Sequence, residues 1–133
     1  MSISALSVNV DGTVATTGGT ATTMIAKGNT LDQSNVILND SSEFIAETKI
    51  SFSNRDPIVN SGAPNGYTQA RRTVNIHVPL ALDNGNYTTN KVTIQFSVDP
   101  ETTDAEVNSL RVLAAQMIHD SDLDDFYQSG SLG

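Results

Sequence analysis

Three stretches of this 133-residue chain place cationic and hydrogen-bonding side chains at every second position: Lys49, Ser51, Ser53 and Arg55; Thr73, Asn75 and His77; Lys91, Thr93 and Gln95. A period of two sends each set to one side of an extended strand. If the three strands are neighbours, their polar sides merge into one surface. Its ammonium and guanidinium groups suit phosphates, and its short hydroxyls and amides suit sugars and exposed base edges. The plainer alternative is the wet side of an antiparallel sheet whose other side packs on a core. Tyr67 and Tyr87 bring rings that serve equally for stacking on bases or for packing.

Other chemistry finds little support. His77 and His119 are the only histidines and there is no cysteine, so neither a zinc site nor a disulfide framework is expected. Asp120, Asp122 and Asp124 imitate the opening of a calcium loop, but Asp125 stands where glycine is needed and Ser131 where the bidentate glutamate belongs. They read better as an acidic helix start. No nucleophile elbow, phosphate-binding glycine loop or dinucleotide fingerprint occurs. A hydrolase built on His77 with Asp83 or Asp99 has no nucleophile to go with it. The expectation is a non-enzyme with no cofactor, no metal and no small-molecule substrate.

A net charge of −8 argues against a nucleic-acid binder until its distribution is considered. From Asp99 onward eight acids face a single base, Arg111, whereas Glu47 to Val98 holds five bases against three acids. Placed on opposite faces, these halves make a two-sided molecule with a mildly basic sheet. Thr, Ser, Asn and Val are abundant and aromatics are only 5%, a bias towards strands and turns. The N-terminus lacks the basic stretch and apolar run of a signal peptide, and no apolar run reaches the roughly 20 residues that span a bilayer. A cytoplasmic product without membrane contact is expected.

The elements that must hold the polar positions follow from the same alternation. Ser4 to Val10 and Thr20 to Ala26 read as an N-terminal hairpin within residues 1–26, and Lys27 to Ser34 as loop. Within residues 35–98 the main sheet should comprise a short strand at Asn35 to Asn39 and long strands at Phe44 to Asn54, Arg71 to Leu80 and Lys91 to Val98. Arg55 to Thr68, with Pro57, Gly62, Pro64 and Gly66, should be an extended connection. If the second long strand begins at Arg71, then Arg71 and Arg72 point to opposite faces. Residues 103–128 should hold two helices. Thr103 and Glu106 form a capping box, Val107, Leu110, Leu113, Ala114, Met117 and Ile118 make an apolar stripe, and Ser121 can cap the second helix. Strands first and helices last indicates one α+β domain with an antiparallel sheet.

In that order and pattern the chain resembles the coat proteins of single-stranded RNA bacteriophages, the leviviruses. The resemblance rests on ETKISFSNR, RRTVNIHVP, NKVTIQFSV and the helix start PETTDAEVNSLRVLAAQMI. It implies an interlocked homodimer in which the helices of one subunit cover the sheet of its partner, with Val107, Leu110, Leu113, Ala114 and Met117 at the interface. It also implies an icosahedral shell in which the loop from Ala81 to Asn90, with Asp83, Asn84, Gly85, Asn86 and Tyr87, meets its copies around symmetry axes.

The resemblance further implies that the inner sheet face binds genomic single-stranded RNA, and a stem-loop that represses replicase translation. The positions concerned are Lys49, Ser51, Ser53, Arg55, Thr73, Asn75, His77, Lys91 and Thr93. Lys49 stands where short hydroxyl residues are common in the family, and Asn75 where lysine is usual, so hairpin specificity does not carry over. The expected location is the virion, assembled in the bacterial cytoplasm. The rival reading is a β-rich structural phage protein, of tail-tube or decoration type, that binds no nucleic acid.

Overall fold

The computed structural model describes residues 7–14, 18–38 and 43–132. Five strands, β1 (Met24–Asn29), β2 (Gln33–Leu38), β3 (Lys49–Arg55), β4 (Ala70–Ala81) and β5 (Tyr87–Val98), form one antiparallel sheet in sequential order. They are followed by helix α1 (Asp104–His119) and the short helix α2 (Asp124–Ser129). The chain falls into two compact units, one of residues 19–101 containing the sheet and one of residues 1–18 with 102–133 containing the helices. No helix among the described residues is long and apolar enough to cross a membrane.

Strands β4 and β5 form the longest pair, in unbroken register from Ala70 opposite Val98 to Ala81 opposite Tyr87. Both are rich in Val, Ile and Thr, whose branched side chains suit a pleated surface. Pro79, which cannot donate to a ladder, falls beyond His77, where the pairing with β3 has ended and that side of the strand is free. The loop between them is tighter than the sequence suggests, because β5 begins at Tyr87 rather than Lys91 and only Leu82 to Asn86 remain outside the strands. Gly85 donates to the Leu82 carbonyl at 3.0 Å, Leu82 donates to the Asn86 carbonyl at 2.7 Å, and Gly85 sits at φ +85°. A turn followed by a left-handed residue is a standard three-residue hairpin closure, and glycine enters that region without a Cβ penalty.

At the other edge the structure corrects the reading of the N-terminal third. Met24 to Ala26 pairs with Val36 to Leu38, so the hairpin there joins β1 to β2 and lies within the sheet, whereas Lys27 to Ser34 was expected to be loop. The described residues 7–14 and 18–23 contain no strand, and the remainder of the expected N-terminal hairpin lies outside the described residues. The start of the first long strand is likewise displaced. Phe44–Ala46 forms a 3-10 turn, closed by Ala46 donating to the Glu43 carbonyl at 3.0 Å, and β3 begins only at Lys49. The connection before β4 folds back on itself through a bridge between Val59 and Tyr67. Asn65 then donates to the Asp99 carboxylate at 2.7 Å, tying that loop to the end of β5.

In the helical unit Thr103 caps α1 as expected, while Glu106 bonds to the Thr103 hydroxyl rather than to its backbone N–H. Thr103 Oγ1 accepts from the Glu106 backbone N–H at 3.2 Å and donates to the Glu106 carboxylate at 3.0 Å. The second cap differs from expectation. Asp120, not Ser121, accepts from the Asp122 N–H at 2.9 Å and opens a 3-10 turn, Ser121–Leu123, that leads into α2. A carboxylate is a strong acceptor for a backbone N–H, and Asp120 precedes the turn whose N–H it meets. Gly130, left-handed at φ +74°, donates to the Phe126 carbonyl at 2.8 Å and ends α2. Gly12 donates to the Gln116 side chain at 3.4 Å, holding the segment around residue 12 against α1 within the same unit.

Burial is sparse. Among the described residues only Ile37, Ala70, Val98 and Leu123 are buried apolar side chains, and α1 buries none of its sixteen residues. Phe52, Val78, Leu80 and Val92 on the sheet, and Leu110, Leu113, Met117 and Ile118 on α1, remain exposed.

Candidate nucleic-acid interface

Directly opposed residues of an antiparallel pair project to the same face, so the registers of β3, β4 and β5 decide which polar residues come together. They arrange the surface in four cross-strand rows: Lys49, His77 and Lys91; Ser51, Asn75 and Thr93; Ser53, Thr73 and Gln95; Arg55, Arg71 and Ser97. All nine residues expected to form a binding face therefore share it. The opposite face carries Ile50, Phe52, Val74, Ile76, Val92, Ile94 and Phe96. The rows are not interchangeable. The outer two hold the charge and the middle two are neutral donors and acceptors.

The second row is internally hydrogen-bonded, with Thr93 Oγ1 donating to Asn75 Oδ1 at 2.8 Å and Asn75 Nδ2 donating to Ser51 Oγ at 3.5 Å. These groups are exposed or half-buried, so their remaining hydrogen-bonding capacity is open to a ligand. Strand β2 extends the surface, since Gln33 opposes Ser53 and Asn35 opposes Ser51. A recess of about 450 Å³ lies on this face and includes Lys27, Asn35, Lys49, Ser51 and His77 in its lining.

Four further residues, Arg71, Gln33, Asn35 and Lys27, were not assigned to the site from sequence. Arg71 shares the face with Arg55 while Arg72, opposite Asn54 and Phe96, is on the other side, as a strand spanning both requires. Gln33 and Asn35 come from a strand whose pairing partner sequence reading did not identify. Lys27 is placed by a bulge, because the register of β1 against β2 skips it between Ala26 and Gly28. An extra residue re-aims the side chain it carries, and nothing in the local alternation signals it except Gly28 in a left-handed conformation at φ +150°.

Of the loop residues expected to meet their copies, Asp83, Asn84, Gly85 and Asn86 lie in the β4–β5 turn, and Tyr87 instead opens β5 opposite Ala81. Asn84 Oδ1 accepts from the Asn86 N–H at 3.0 Å and braces the turn from within. Val107 and Ala114 on α1 are half-buried, and Leu110, Leu113 and Met117 are exposed. Among the described residues no group of three or more His, Asp or Glu side chains converges on a point that could hold a metal ion.

No family model and no curated protein matches the chain. Solved structures do. The virus-like particle of bacteriophage GQ-907 superposes with a TM-score of 0.84 at 30% identity, covering 99% of this chain and 100% of the other. That of bacteriophage AVE019 gives 0.69 at 11% identity, over 90% of this chain and 93% of its own. That of Beihai levi-like virus 21 gives 0.61 at 17% identity, over 92% and 96%. The two more distant likenesses establish the fold, an antiparallel sheet with C-terminal helices as found in viral coat proteins. Identity of 30% along the full length of both chains goes further: this chain belongs to the coat-protein family of levi-like, single-stranded RNA bacteriophages. It is a structural protein of the capsid.

Proposed function

We propose that this coat protein dimerises, assembles into an icosahedral shell, packages single-stranded genomic RNA against its four-row sheet face, and represses replicase translation by binding an RNA stem-loop there. The observation that carries the RNA reading is the common face of Lys49, Arg55, Arg71 and Lys91, four of the seven bases in a chain of net charge −8. Local potential at the phosphate, not net charge, governs attraction. The acids, by contrast, concentrate after Asp99.

Two features favour a dimer. Strand β5 is the last of the sheet among the described residues, so its twelve residues present an edge of a kind that proteins avoid leaving open. The apolar stripe of α1 and the apolar sheet face, each partly exposed and partly half-buried, supply the surface that a partner's sheet and helices would bury. Pairing β5 with its copy across a twofold axis continues the sheet through both subunits and doubles the polar face. Repression follows from the same surface, if a stem-loop of the genome fits it better than bulk RNA does.

The deciding experiment is electron microscopy of the protein expressed alone, with nuclease-protected nucleic acid quantified in the same sample. Closed shells containing protected RNA are expected. Shells free of nucleic acid at low salt would remove the RNA assignment, and failure to form particles or dimers would remove the assembly reading.

A further inference from the structure

Phe44, on the 3-10 turn ahead of β3, is 77% exposed. Lys49 Nζ lies 4.7 Å from its ring centroid. That is the geometry of a cation–π contact, and it covers a single ring face, so most of the side chain is still open to solvent. Phe44 stands at the boundary of two recesses. One, of about 450 Å³, includes Lys27, Lys49 and His77 in its lining, and the other, of about 210 Å³, includes Lys49, His77, Pro79 and Tyr87. Glu47 lines both.

An exposed aromatic ring on a soluble protein is ordinarily a loss, since water must be ordered around apolar area that could have been buried. Here it adjoins one of the two cationic rows of the sheet, that of Lys49, His77 and Lys91. A ligand suited to both features has a flat π surface joined to a negative charge. An unpaired nucleotide has both, with the base to stack on the ring and its phosphate to meet Lys49 or Lys91. The Glu47 carboxylate, an acceptor only, would favour a base edge carrying an exocyclic amino group.

We propose that Phe44 is a stacking platform for an unpaired nucleobase at the edge of the polar sheet face, with Lys49 holding the attached phosphate. This rests on the RNA-binding reading and adds a specific subsite to it. Because the chain contains no tryptophan, Phe44→Trp installs a single indole at the site as a direct reporter.

The full-length protein carrying Phe44→Trp is titrated with a short unstructured RNA, with the same RNA made abasic, and with inorganic polyphosphate. Anisotropy of labelled RNA is followed in parallel for wild type and Phe44→Ala. Quenching by RNA, but not by abasic RNA or polyphosphate, is expected. Phe44→Ala should bind roughly 5- to 150-fold more weakly, the span measured for single base–aromatic stacks. Unchanged indole emission while labelled RNA binds, or equal affinity of wild type and Phe44→Ala, overturns the subsite and leaves the RNA face standing. Altered particle assembly of Phe44→Ala at unchanged RNA affinity also overturns it, by assigning Phe44 to a contact between copies. If wild type binds neither RNA nor abasic RNA at low salt, the RNA face falls and the subsite with it.

Discussion

Thr93 donates its hydroxyl hydrogen to the Asn75 carbonyl oxygen across 2.8 Å, from the edge strand to its neighbour. This fixes which end of the Asn75 amide faces β5 and turns the NH2 group towards Ser51 on β3, where it donates at 3.5 Å. One amide thus relays orientation across three strands in the middle of the proposed RNA face. Replacing it with a carboxylate, Asn75→Asp, preserves shape, removes the NH2 donor and adds a negative charge to a neutral row. Binding of single-stranded RNA should fall by about fivefold or more, since even a solvent-screened like-charge contact costs about 1 kcal/mol. Asn75→Ala should alter stability by no more than about 1 kcal/mol. Filter binding and chemical denaturation measure the two effects separately.

Lys49 and Lys91 flank His77 in one cross-strand row. Changing both to Gln keeps their length and removes two phosphate partners. The slope of log affinity against log salt should decrease in magnitude by roughly 1.4, about 0.7 for each phosphate of a single strand that is no longer neutralised. A slope that does not move would place the phosphates elsewhere on the protein.

Leu110 and Met117 are exposed on α1 in the protomer, and the proposed partner buries them. Leu110→Asp or Met117→Asp would put an unpaired charge into that interface, at a cost of several kcal/mol. Light scattering should then report loss of dimers and particles. If the variants assemble normally, the apolar stripe of α1 is not the clasp.

Gly85 occupies a left-handed conformation with open space around it, so the penalty of Gly85→Ala is conformational and not steric crowding. A strain of about 1–2 kcal/mol is expected. Its readout is a lower midpoint of thermal or chemical unfolding. Gly85→Asn, which tolerates the region better, should recover part of the loss.

Thr103 both accepts from and donates to Glu106 at the start of α1. Thr103→Ala leaves a helix N–H without its cap and should destabilise the protein by about 1 kcal/mol, seen as a lowered midpoint of unfolding. Thr103→Ser should be close to neutral.

Where local chemistry decided the outcome, the sequence was a sufficient guide. The Thr103 cap on α1 and the alternation in β4 depend on neighbours within a few residues, and each appears as its residues dictate. The common face of the polar positions was also legible, because three alternating strands in antiparallel sequence leave few registers that keep Ile50, Val74 and Ile94 together. Long-range pairing was not legible. Met24 to Asn29 contains Lys27 and Gly28 and has little β pattern, so its strand exists through pairing with β2. The alternation that is clear from Thr48 onward carries the expected strand back to Phe44, yet the chain turns at Phe44 and begins its pairing at Lys49. That turn takes Phe44 out of the apolar series to which alternation had assigned it and leaves its ring beside Lys49. Lys27 reaches the polar face for a reason of the same kind, a bulge that only the pairing reveals.

The order of the rows along β4 has a consequence for what can lie across them. Arg71 and His77 are six residues apart, a distance of about 20 Å in an extended strand. A flexible polyanion laid along the strand would be pinned at two ends, by Arg55 and Arg71 at one and by Lys49 and Lys91 at the other, and would cross an uncharged stretch between them. On the proposed RNA reading, grip and discrimination would fall to different parts of the surface. Varying the charged ends would tune how tightly any RNA is held, and varying the neutral middle would change which RNA is preferred.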